Sequence, residues 1–147
     1  MSAEAPSCVL LADRHHGLTE GVRGLLETAF GTVVMVADED SLLEGAGRLR
    51  PDVAIVDLSL AHEQSLDWLR ALRERAPGLK VIVLSVHDEP SVRRAAMKAG
   101  ADAFVLKRAI ATDLLPAVEL VRGGGREGAS ADVATLPAKP GEEEVGG

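Results

Sequence analysis

The sequence predicts an α/β domain in which a parallel sheet lies between two layers of helices, and two observations carry that reading. Short apolar runs alternate five times with segments whose apolar residues recur at three-to-four spacing, the βα repeat of such a sheet. The runs are continuous rather than alternating, as strands buried on both faces must be. At 147 residues the chain suits one domain, and 46% hydrophobic with 27% charged residues leaves a sizeable core to bury. Phe30, Phe104 and Trp68 are the only aromatics, so Leu, Val, Ile and Ala must build that core.

Taken in order, the first strand is Cys8 to Ala12, ahead of Asp13. A helix from about Gly17 to Phe30 follows, with Leu18, Val22, Leu25, Leu26 and Ala29 on one face and Glu20, Arg23 and Glu27 on the other. The second strand runs from Thr32 to Ala37, and a short helix begins at Ser41, read as its N-cap, burying Leu42, Leu43, Ala46 and Leu49 before Pro51 stops it. Val53 to Val56 form the third strand, which closes on Asp57. The third helix starts near Ser65 and runs through Leu66, Leu69 and Leu72 to the Pro77-Gly78 turn. Strand four, Val81 to Leu84, leads to a helix with Pro90 in its first turn, a thin inner face of Val92, Ala95, Ala96 and Ala99, and Gly100 as its C-terminal cap. Strand five is Ala103 to Leu106. The last helix begins at Thr112 with Leu114, Leu115, Val118 and Val121 inward, and Pro116 is assigned to its first turn because further in it would kink the helix.

These elements define a domain over residues 7–122, after an N-terminal extension of residues 1–6. Residues 123–147 read as a flexible tail or linker: they open on Gly123-Gly124-Gly125, lack apolar periodicity and carry −3 of the chain's net −7. That net charge argues against attachment to phosphate backbones or anionic lipid, which need clustered Lys and Arg, so neither direct nucleic-acid binding nor a membrane role is expected. Cys8 is alone and cannot form an internal disulfide. With no apolar signal core or spanning segment, a reducing, cytoplasmic setting is expected.

Four polar residues end the buried strands: Asp13 after the first, Asp57 after the third, Ser85 after the fourth and Lys107 after the fifth. In a parallel sheet such ends converge on one crevice. A carboxylate attacks a phosphoryl group well only where the repulsion between two anions is neutralised, and a divalent cation on oxygen ligands does this. Asp13 beside Asp57 would supply such a site, the Lys107 ammonium can pair with a phosphate oxygen, and the Ser85 hydroxyl can donate to another.

Over about Ser7 to Arg122 the chain resembles the receiver domain of two-component response regulators, most of all receivers that precede helix-turn-helix output domains of the NarL type. The resemblance rests on Leu11-Ala12-Asp13-Arg14-His15, Pro51 to Asp57, Val83-Leu84-Ser85-Val86-His87-Asp88 and Gly100 to Ala109. It implies a flavodoxin-like fold with strand order 2-1-3-4-5 and Asp57 as phosphoacceptor. Ser85 and Lys107 would be phosphate contacts, and Phe104 the aromatic that rotates on activation. It further implies Mg2+ held by Asp13, Asp57 and the Ser59 backbone carbonyl. A histidine kinase or phosphotransfer protein would be the donor, and a downstream protein, or a second copy of the chain in a homodimer, the receiver of the signal. No enzymatic activity is expected beyond self-catalysed phosphoryl acceptance and autodephosphorylation.

The chain departs from that pattern at three places. The position after Asp13, where receivers carry a second acid, is Arg14; the Pro four residues after the phosphoacceptor is Ala61, and the Gly eight after is Ser65. Arg14 weakens the metal site and opens an alternative, in which its guanidinium lies against Asp57 and the domain is a degenerate receiver acting without phosphorylation. His15, His16, His62 and His87 all fall in loops at the strands' carboxyl face, but their spacing is not diagnostic of a transition-metal site. His87 and Ser59, each two residues beyond a strand-end site residue, are candidates to border the water that hydrolyses a phosphoaspartate.

Overall fold

In a computed structural model, residues 7–14, 16–60 and 65–124 are described, with the side chains of residues 16–19 excepted. His15, His62, Ala61, the side chains of His16 and Leu18, the N-terminal extension and most of the predicted tail lie outside that description.

The elements follow the predicted alternation: β1 Cys8–Ala12, α1 His16–Leu26, β2 Thr32–Val36, α2 Glu39–Leu49, β3 Val53–Asp57, α3 Asp67–Arg75, β4 Lys80–Ser85, α4 Pro90–Ala99, β5 Ala103–Leu106 and α5 Ile110–Arg122. All strand pairings are parallel, and the sheet order is β2-β1-β3-β4-β5. Because side chains alternate across a strand, neighbours in sequence feed opposite cores. Leu10, Ala54, Val56 and Val83 pack with Leu42, Leu69 and Leu72 from α2 and α3, whereas Val9, Leu11, Ile55 and Leu84 pack with Val22, Leu26, Leu114 and Val118 from α1 and α5. Every residue of β3 is buried, as expected of the central strand.

Several boundaries differ from the sequence reading for local reasons. Helix α2 starts before Ser41, since Asp38, in extended backbone, accepts the Ser41 N–H at 2.7 Å and is the true cap; Glu39 and Asp40 then fall in the first turn, where the helix dipole favours acids. Leu49 ends that helix exposed, and Arg50 takes the left-handed conformation (φ 50°, ψ 56°) that turns the chain toward Pro51. Helix α1 closes at Leu26, after which a tightened turn, with Thr28 N–H to Leu25 C=O and Ala29 N–H to Leu26 C=O, delivers Phe30 into the core. In α4 only Ala96 and Ala99 are buried, and Ala95 is exposed. Helix α5 begins two residues before Thr112, because a 3-10 turn over Lys107–Ala109 runs straight into Ile110; Pro116 is therefore inside the helix and not in its first turn.

At the amino end of the sheet, Asp102 is buried and accepts from the Val81 N–H at 2.9 Å and from the Arg73 guanidinium. The same guanidinium donates to the carbonyls of Gly100, at 2.9 Å, and Leu79. One α3 side chain thus ties together the start of β4 and the turn into β5. Gly100 has φ 126°, a conformation that side chains resist, and a Cβ there would lie 3.0 Å from Arg73 Cγ.

Candidate functional site

Register brings the site together. Ala12 pairs with Val56 and Asp57 with Leu84, so Asp13 and Asp57 leave adjacent strands side by side, while Ser85 pairs with Leu106 and puts Lys107 just beyond. Asp13, Asp57 and Ser85 are all 2% exposed or less, although each ends a strand at the rim of the sheet.

Lys107 reaches across this rim. Its Nζ donates to Asp57 Oδ2 and lies 3.5 Å from Asp13 Oδ2, so one ammonium serves two buried carboxylates. The other Asp57 oxygen, Oδ1, accepts the Ser59 N–H at 2.9 Å. Burial pushes the Asp57 carboxyl up, but the Lys107 hydrogen bond, the Ser59 N–H, the side-chain interaction with Asp13 and the charge of Lys107 together outweigh it and hold the group below its ordinary range. Asp57 is therefore held as a carboxylate in a buried setting.

Arg14, exposed at the mouth, donates from Nη1 to the Ser59 carbonyl at 3.4 Å. Ser59's peptide group is thus engaged at both ends, its N–H by Asp57 and its C=O by Arg14. That carbonyl is the oxygen assigned above to a metal ion. Asp13 and Asp57 have the hard-oxygen chemistry magnesium takes, yet both are contacted by Lys107 and the third donor by Arg14. As arranged, the set does not fit a magnesium ion. Among the described residues no three His, Cys, Asp or Glu side chains come together as a metal site.

Ser85 Oγ accepts the His87 N–H at 2.9 Å and donates to the His87 carbonyl at 3.3 Å, so the hydroxyl is turned into its own loop. The His87 ring is exposed, 3.8 Å from Glu89. Phe104 points into the core on the α4 side, with the Arg93 guanidinium 6.0 Å from its ring centre. Arg108 pairs with Asp88 at 3.1 Å, linking the loops after β5 and β4.

This juxtaposition of strand-end acids, hydroxyl and ammonium on a 2-1-3-4-5 sheet is matched by a family described as the response regulator receiver domain, over residues 9–119. The chain belongs to that family. The transcriptional regulatory protein DegU of Brevibacillus brevis is 33% identical to the receiver over 119 residues, 80% of this chain and 50% of DegU. The nitrate/nitrite response regulator NarP of Escherichia coli K12 is 35% identical over 128 residues, 86% of this chain and 58% of NarP. The receiver thus spans about half the length of these curated relatives. A LuxR-family two-component response regulator from Aurantimonas superposes with a TM-score of 0.75 at 25% identity, covering 83% of this chain and 89% of that one. Receivers are generally non-enzymatic signalling modules that interact with histidine kinases and downstream partners, and aspartyl phosphate and Mg2+ are typical of the family. Among the described residues, no helix is long and apolar enough to cross a membrane.

Sequence reasoning placed the four strand-end groups together. It missed that Ser59 would serve Asp57 through its N–H, and that Ser85 would engage the His87 backbone. The signal for both was the two-residue offset past each strand, the spacing of an Asx- or Ser-type turn.

Proposed function

We propose that this receiver accepts a phosphoryl group on Asp57 and changes its protein contacts as a result. The observation that supports it is the buried, ionised Asp57, held between the Lys107 ammonium and the Ser59 N–H. A histidine kinase or phosphotransfer protein would be the donor in a cytoplasmic relay. Once Asp57 carries a phosphoryl group, Lys107 follows its oxygens, and the Ser85 hydroxyl gains a partner stronger than the His87 carbonyl. Turning Ser85 outward loosens the loop into α4, whose buried face is only Ala96 and Ala99, and releases Phe104 from its place beneath Arg93. The mechanism is a population shift that new hydrogen bonds bias. The responding surface is α4, β5 and α5, with Arg93, Arg94, Lys98 and Arg108 exposed for a downstream protein or a second copy.

Incubation with acetyl phosphate and magnesium followed by intact mass tests the assignment. One phosphoryl group should be gained, and Asp57→Ala should gain none; uptake by that variant would remove Asp57 from its role. A second reading, the degenerate receiver acting without phosphorylation, is favoured by the Arg14 contact with Ser59. A chain that takes up no phosphate while a competent receiver does would support it. His87 and Ser59 border the space where water would attack the phosphoaspartate. His87→Ala should change the decay rate of the phosphorylated form, and an unchanged rate would dismiss that role.

A further inference from the structure

Phosphorylating Asp57 replaces one negative charge with two, so what matters is the positive charge the site holds in advance. In the pattern that the family resemblance implies, two acids after the first strand, the phosphoacceptor, a lysine and a divalent cation have formal charges that cancel. Here Asp13 and Asp57 face Lys107 and Arg14, and the formal charges cancel as well. One guanidinium carries the same net charge as a carboxylate plus a divalent cation. Its position corresponds too: Nη1 lies 3.4 Å from the Ser59 carbonyl, whose own N–H is held by Asp57 at 2.9 Å.

We propose that Arg14 stands in for the divalent cation, so that Asp57 is phosphorylated without one; this rests on the phosphoryl-acceptor reading above. With acetyl phosphate as donor, an Asp57 carboxylate oxygen attacks phosphorus and the bond from phosphorus to the bridging oxygen breaks. Acetate leaves with that electron pair, and no proton is exchanged. Arg14 offers several donors in a plane that can follow two phosphoryl oxygens. A cation entering beside it would have to take the Ser59 carbonyl from Arg14 and would leave the site two charges positive. Arg14 is exposed at the mouth, so it can meet an incoming phosphoryl group without disturbing the core.

The test follows phosphoryl uptake from acetyl phosphate by intact mass, in EDTA and in magnesium chloride, for the unsubstituted chain, Arg14→Asp and Arg14→Gln. Manganese binding to each is read in parallel by electron paramagnetic resonance. The unsubstituted chain should react at rates within about threefold in the two media, whereas Arg14→Gln should be slower in EDTA by at least about a hundredfold, the usual loss of one preorganised charge donor. Arg14→Asp should react only with magnesium and bind manganese at least about tenfold tighter than the parent. Uptake by the unsubstituted chain only in magnesium overturns this inference and leaves the phosphoacceptor intact. Uptake in neither medium overturns both, and equal EDTA rates for the parent and Arg14→Gln overturn the part assigned to Arg14.

Discussion

Lys107 is the residue on which the site's electrostatics turn, because it alone among the cations here is nearly enclosed with both carboxylates. Replacing it by Met leaves Asp13 and Asp57 buried beside each other, a loss of about 3–5 kcal/mol at neutral pH by the measure of broken buried pairs. Urea unfolding would read it. The pH dependence has a fixed sign. Asp57's folded-state value is depressed, so its contribution to stability is present above the ordinary carboxyl range near pH ~4 and is lost as pH falls through the lower folded value. In Lys107→Met burial is left to dominate, Asp57 should titrate above its ordinary range by carbon NMR, and the stability gap from the parent should narrow on acidification. At this scale much was legible: residue type and strand-end position brought Asp13, Asp57, Ser85 and Lys107 together. The direction of Arg14 was not, since an exposed guanidinium on a long stem has several carboxylates and carbonyls in reach and only the loop's course selects among them. Cys8 is likewise half-buried rather than enclosed, with burial and then the Asp52 carboxylate raising its thiol.

Element boundaries are set by groups too small for periodicity to register. Asp38 and Ser41 are both good caps, and the one that accepts from the other's N–H begins the helix. Pro116 is a sharper case, as α5 continues through it at the loss of one backbone hydrogen bond to the Thr112 carbonyl. Pro116→Ala should therefore stabilise the domain, by about 1–2 kcal/mol once the freer unfolded chain is set against the restored bond, seen as a higher thermal midpoint. Gly100→Ala should act the other way, by about 1–3 kcal/mol, since it combines φ 126° with a crowded approach to Arg73. Sequence reasoning read Gly100 correctly because a helix end demands that conformation. It misplaced Pro116 because the 3-10 turn ahead of α5 has no apolar signature.

For the whole molecule, the fold was legible in full: five βα repeats with continuous apolar strands admit few arrangements, and the resemblance supplied the order that the sheet has. Two cores of similar character lie on opposite faces of a completely buried β3, so unfolding should be cooperative across both. The predicted boundary makes a further demand. A chain ending at Gly124, just past Val121, the last buried residue among those described, should by the predicted boundary unfold in urea within about 0.5 kcal/mol of the full chain.

The Arg73 guanidinium, which fastens the turn at Gly100 to the start of β4, gives α4 unequal ends. Its last turn is bolted to the base of the sheet, and its first turn, from Pro90, stands beside the site with none of its own side chains fully buried. Such a helix moves as a door hung on one edge: it can swing at the Pro90 end but cannot slide. Amide exchange along α4 should grade from fast at its start to slow near Gly100, and an even rate along the helix would mean that it opens as one piece.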